Sequence, residues 1–428
     1  MCLELGILKI DDIAFGDKTE VHSRCLYINK IELTELLKED PNIENVELDL
    51  AKPGDDVRII PVKDVIEPRV KVKGPGGVFP GFISKVEKVG NGRTHVLAGT
   101  AVVTTGKIVG FQEGIIDMSG PGAEYTPFSK TLNLVVTITP EKGLAQHKHE
   151  QTVRMAGLEA AAYLGKAGSN IEPDHIETYD TGSILENAAK YPALPKVAYL
   201  YMLQTQGLLH DTYVYGVDAK RIIPTLINPA EVFDGAIVSG NCVSACDKNT
   251  TFHHQNNPVI RELFKYHGQE LSFIGVVISN ENVTLADKER SSSYAAGLVK
   301  MIGADGAIVS EEGFGNPDTD LVMNCRKLET LGIKTVLITD EYAGRDGASQ
   351  SLADAVPEAD AVISVGNANE TIELPPRKRI IGDISTAELI AGGFAGALKE
   401  DGSLQVEIQA IIGSTNELGF SKLRGEGF

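Results

Sequence analysis

Two cysteines stand four residues apart in the stretch SGNCVSACDK, residues 239–248, which follows the apolar run GAIV. Three chemistries suit that placement. Cys242 and Cys246 could supply part of a zinc site, with His253 and His254 in FHHQNN nearby in sequence. Zinc takes about four ligands, usually as two tight pairs, and no second Cys pair exists. The two thiols could form a redox pair, although that chemistry more often uses Cys-x-x-Cys at a helix N-terminus. Third, the Cys242 thiol adjoins the Asn241 carbonyl and can attack it in a strained turn, moving the acyl group from nitrogen to sulfur. Loss of the sulfur by β-elimination leaves a dehydroalanine, which hydrolyses to a pyruvoyl group. Asn241 then ends one chain and a ketone begins the next. Gly240 and Asn241 suit such a turn because both tolerate left-handed backbone angles. Residue types alone leave all three open.

Other polar side chains qualify as helpers. His210, in GLLHDTY, follows the YLYML run at a loop, and a neutral imidazole there could shuttle protons. Asp247 and Lys248 flank the cysteine segment. Lys248 could orient a substrate carboxylate, or simply be solvated. Glu311, Glu312, Asp340 and Glu341 sit at the ends of separate apolar runs and are expected to crowd one rim. Such a rim binds an amine or a divalent cation, or is a solvated acidic edge. His147 and His149 lie two apart, so they do not share a helix face and read as solvated. Cys2, Cys25 and Cys325 read as structural.

The elements that must position these groups change character along the chain. Residues 1–145 are expected to form a β-rich domain, because VELDLAKPGDDVRIIPVKDVIEPRVKVKG alternates apolar and polar residues between Pro and Gly punctuation. The loop KGPGGVFPG (73–81) lacks P-loop spacing and the terminal Lys-Ser/Thr. HKHEQTVRMAGLEAAAYLGKAG (147–168) predicts a helix. From residue 196 the short runs KVAYLYML, GAIVSG, FIGVVISN, GAIVSEE, KTVLITDE and DAVISVGNAN alternate with helical stretches. That predicts an α/β chain with doubly wound, mostly parallel units, one (146–241) ending at Asn241 and one (242–428) beginning at Cys242. Open parallel sheets bind ligands outside the carboxyl ends of their strands, where the polar rim falls.

Composition narrows the class. A net charge of -19 argues against nucleic acid, whose phosphates call for clustered Lys and Arg. No apolar run approaches the roughly 18 residues of a membrane span. MCLELGILKIDD carries acids early and does not read as a signal peptide, and five scattered cysteines do not suggest a secreted disulfide framework. A cytoplasmic protein is expected.

The stretches YMLQTQGLLHDTYVYGVDAK, SGNCVSACDK, NENVTLADKERSS, SEEGFGNPDTDL and TDEYAGRDGASQSLADA, with RIIPVKDVIEPRVKV and GKIVGFQEGIIDMSG, resemble the proprotein subunits of component B of the glycine, sarcosine and betaine reductases. The resemblance runs almost end to end. It implies cleavage at Asn241–Cys242, with Cys242 as precursor of a covalent pyruvoyl cofactor and no resident metal. It further implies that glycine's amine binds this ketone as a Schiff base, so that a selenol can displace ammonia. The implied partners are a selenoprotein subunit of component B, selenoprotein component A and the acetyl phosphate-forming component C, in an oligomeric complex. Thioredoxin supplies the electrons. Two other readings stand beside this one: a pyruvoyl-dependent decarboxylase, and an uncleaved scaffold. Sarcosine or betaine could replace glycine as substrate.

Overall fold

The computed structural model describes residues 1–109, 113–180, 182–206, 212–240 and 249–419. In the first half, strands β1 (Ile43–Ala51), β2 (Val57–Ile66), β3 (Thr100–Gly106), β4 (Gly114–Asp117) and β5 (Leu132–Pro140) form a mixed sheet in the order β4-β2-β3-β5-β1. Helix α1 (Gln146–Lys166) lies across it, burying Val153, Ala156, Ala160 and Leu164 against Ile66, Val102, Leu134 and Val136. The helix comes close because Gly157 lacks a side chain: a Cβ there would stand 2.5 Å from Thr104 Cγ2 in β3.

Alternation in VRIIPVKDVI predicts a half-buried strand, yet every residue of β2 is buried. The opposite face of the sheet is covered by the end of the chain, with Ile411 and Ile412 packed among Ile59, Ile60 and Ile115. Its charged residues remain inside because they are paired. Arg58 Nε donates to Asp117 Oδ1 at 2.7 Å, and Lys63 Nζ to Glu113 Oε1 at 2.6 Å. Buried charges persist only with such partners.

The second half supplies the predicted parallel sheet. Its strands are β6 (Lys196–Leu203), β8 (Thr225–Ile227), β10 (Ser272–Asn280), β11 (Gly306–Ser310), β12 (Lys334–Glu341) and β13 (Val362–Asn367). Two short strands, β7 (Thr212–Val214) and β9 (Ile237–Ser239), pair elsewhere with each other. The order is β8-β10-β6-β11-β12-β13, parallel except for the edge strand β8. Period-2 alternation sorts β6 between two cores. Tyr199, Tyr201 and Leu203 face one side, with Ile260 and Leu263 of the Pro258–Tyr266 helix. Ala198, Leu200 and Met202 face helices α3 (Leu285–Met301) and α4 (Asn316–Thr330). Gly332, at φ 78°, ends the turn after α4.

The chain is α/β, but the expected segments 1–145, 146–241 and 242–428 exchange strands. β6, before Cys242, lies between β10 and β11, which follow it. Strand β14 (Arg379–Gly382) joins the first-half sheet beside β2. The GAIVSG run forms β9, outside the parallel sheet. Among the described residues, no helix is long and apolar enough to cross a membrane.

Candidate active site

From β6 the chain proceeds to β10 on one side, then to β11 on the other. The carboxyl ends of β6 and β11 therefore mark the switch point, the place where open sheets take ligands. Gln204 follows β6, Glu281 follows β10, and Glu311 and Glu312 follow β11. Glu312 is buried and gathers donors from three segments. Its Oε2 accepts the Gln204 N–H at 2.9 Å and the Thr212 hydroxyl at 3.4 Å; its Oε1 accepts the Asn249 N–H at 2.9 Å. Its own N–H donates to Glu281 Oε1 at 2.7 Å. Burial, reinforced by the charges of Glu312, Glu311 and Asp320, pushes the Glu281 carboxyl well above its ordinary range.

Residues 240 and 249 flank the cysteine segment, and both ends rest on this buried polar floor. The Ser239 N–H donates to Thr251 Oγ1 at 3.1 Å; that hydroxyl donates to Asp64 Oδ2 at 2.7 Å, and the Thr251 N–H to Asp64 Oδ1 at 3.0 Å. Thr250 caps the short helix α2 (Thr251–Gln255), whose His254 Nδ1 meets Tyr201 OH at 2.8 Å. From the end of the chain, Glu417 Oε1 accepts from Asn249 Nδ2 at 2.6 Å, and Asn416 Nδ2 donates to Asn249 Oδ1 at 2.8 Å. The chain thus leaves β9 and returns to α2 at one fixed base.

Asn241, Cys242, Cys246, Asp247, Lys248 and His210 lie outside the described residues. The four rim acids are not a solvated edge. Glu311 is buried and takes the Thr339 hydroxyl; Asp340 is buried and takes the Thr415 hydroxyl at 2.9 Å; Glu341 is half-buried and takes the Ser364 hydroxyl. His147 is exposed, whereas His149 is half-buried, and burial beside Lys63 lowers its pKa to about 4. Cys2, Cys25 and Cys325 are free thiols, the last fully buried. Among the described residues, no group of three or more His, Cys, Asp or Glu is placed to hold a metal ion. Sequence reading missed Asp64, Glu281, Asn416 and Glu417. Asp64 left a signal, a Lys-Asp pair inside an apolar strand; the GSTNE stretch near the end reads as an ordinary polar loop.

The family model for glycine/sarcosine/betaine reductase component B subunits matches residues 1–426. The chain is 64% identical, over 428 residues and the whole of both proteins, to the "Glycine reductase complex component B subunits alpha and beta" of Peptoclostridium acidaminophilum. It is 56% identical to that organism's sarcosine reductase complex component B subunit alpha, across 99% of each chain. A more distant likeness, 24% over 361 residues, covers 77% of this chain and 53% of the D-proline reductase proprotein PrdA of Acetoanaerobium sticklandii. No solved structure matches. By a match spanning nearly its whole length, the chain belongs to the family of glycine/sarcosine/betaine reductase component B subunits.

Proposed function

We propose that this chain, an oxidoreductase subunit by its family, is a precursor that cleaves itself at Asn241–Cys242 to create a substrate-binding ketone. What supports this above all is a relative 64% identical from end to end whose single chain bears the names of two subunits, alpha and beta. The word proprotein in the name of the more distant relative agrees with it. The Cys242 sulfur adds to the Asn241 carbonyl, and the carbonyl–nitrogen bond breaks to leave a thioester. Elimination breaks the Cβ–sulfur bond and releases a thiocarboxylate on Asn241. Water converts this to a carboxylate with loss of hydrogen sulfide, while the dehydroalanine left behind takes up water and loses ammonia.

The surroundings fit such a group. Buried hydrogen bonds hold the described flanks, and Glu281, a buried carboxyl whose neutral form is favoured, accepts the N–H of Glu312, which holds one of them. The resulting pyruvoyl ketone would condense with an amine and make the adjacent carbon–nitrogen bond easier for a partner's selenol to displace. Glycine is the favoured substrate, because identity is 64% to the glycine-type relative against 56% to the sarcosine type and 40% to the betaine type. Betaine's quaternary nitrogen has no lone pair for condensation. Partner selenoproteins of components A and B, an acetyl phosphate-forming component C and electrons from thioredoxin complete the proposed reaction, in an oligomeric cytoplasmic complex.

Two measurements test this. Intact mass spectrometry of the native protein should give two chains, 1–241 and a ketone-blocked 242–428, which still elute together in size exclusion because β6 remains between β10 and β11. A single full-length mass from active material would sink the proposal. Borohydride with labelled glycine should fix label on the C-terminal chain. Label confined to the N-terminal chain would place the carbonyl elsewhere, and carbon dioxide release without a selenoprotein would favour a decarboxylase.

A further inference from the structure

We infer that Glu312 is a positioning residue for the reaction at Asn241–Cys242, acting through the described residues that flank the reactive segments; this rests on the function proposed above. The donors it gathers are specific in origin. Gln204 and Thr212 stand on either side of residues 207–211, which include His210, and Asn249 directly follows residues 241–248, which include Cys242. One carboxylate therefore ties three chain segments at the switch point of the sheet. A buried charge is costly, and an apolar side chain would fill the same space without that cost. A carboxylate has acceptor sites enough for all three donors and offers none in return. Charge-assisted bonds to main-chain N–H groups also exceed neutral ones in strength. Glu281 completes the clasp: its Oε1 holds the Glu312 N–H, and its carbonyl accepts the Thr205 hydroxyl. The ends of β6, β10 and β11 are stitched to one another at this point.

Replacing one Glu312 oxygen by an amide turns an acceptor into a donor that faces an N–H. Either Gln204 or Asn249 then loses its partner. Attack of a thiol on a neighbouring carbonyl depends on near-attack placement, and a displacement of about 1 Å can cost on the order of 10²-fold in rate.

The test follows conversion of the full-length chain into two chains by intact mass, over time, in material matched for folded content by circular dichroism. Glu312→Gln should process about 10²-fold more slowly than the wild type, and Glu312→Asp, which keeps both acceptors on a shorter stem, should recover part of the rate. Glu113→Gln, at a buried carboxylate held by Lys63 Nζ and the Val109 N–H rather than by the Glu312 donors, should lower the melting temperature and leave processing of folded molecules unchanged. Processing of E312Q at the wild-type rate, or equal slowing in E113Q, overturns the inference. If E312Q does not fold, hydrogen exchange in the wild type decides: the Gln204 and Asn249 amides should exchange as slowly as those within β6, and loop-like exchange overturns the clasp. A wild-type chain that stays whole defeats the cleavage reading itself, and this inference with it.

Discussion

Cys242→Ala should leave the polypeptide whole and abolish turnover, with no reactive carbonyl for hydroxylamine to titrate. Alanine has no nucleophile to move the Asn241 acyl group and no leaving atom on its β-carbon, so both bond-breaking steps are lost together. Cys242→Ser separates chemistry from folding. A hydroxyl forms an ester where the thiol forms a thioester, and its higher pKa makes it the weaker nucleophile, so cleavage should be slow and still detectable by mass. The fold should not change in either variant, because Asp64, Thr251, Glu312 and Glu417 fasten the described flanks. Two chains from the alanine variant would mean that the bond breaks by another route.

The largest effect on stability is expected at Asp117. Its carboxylate takes Arg58 Nε at 2.7 Å and Arg58 Nη2 at 2.8 Å, with Arg377 Nε at 3.6 Å. Both partners of the principal pair are wholly buried. Asp117→Ala removes the carboxylate paired with the buried Arg58 guanidinium and leaves Arg377 with Asp56 at 3.5 Å, and breaking a buried pair in this way costs about 3–5 kcal/mol. Thermal unfolding should begin far lower. The double variant Arg58→Met, Asp117→Leu should recover most of the loss, because apolar packing replaces a pair whose desolvation cost is high. A single variant as stable as the wild type would show that Arg58 finds water or another acceptor; its Nη2 already reaches the Pro375 carbonyl at 3.1 Å.

The second-half strands were legible because a buried parallel strand leaves a plain mark, a short Val- and Ile-rich run between helical stretches. KVAYLYML, FIGVVISN and KTVLITDE became β6, β10 and β12 within a residue or two. GAIVSG carries the same mark and went elsewhere: apolar content reports burial, whereas strand pairing is settled by distant residues, here Thr212–Val214. The full burial of β2 was hidden for a related reason. Arg58, Lys63 and Asp64 look like solvent-facing positions until their partners at 117, 113 and 251 are in place. At the site, strand-end polarity indicated where Glu311, Glu312 and Asp340 would gather. It could not show that they would be enclosed, because that depends on Thr415–Glu417 arriving from the far end of the chain.

The placement of β6 between β10 and β11, and of β14 beside β2, makes the order of events one-way. A continuous chain reaches this arrangement in a unimolecular search. Once the proposed cleavage separates residue 241 from 242, the same arrangement requires two molecules to meet, each lacking strands that the other supplies. The precursor must therefore fold first and break afterwards. Denatured mature protein should regain its structure at a rate that rises with concentration, slowly or not at all when dilute, while the uncleaved Cys242→Ala chain refolds independently of dilution. The working enzyme would then persist through the height of its unfolding barrier rather than through ready re-formation.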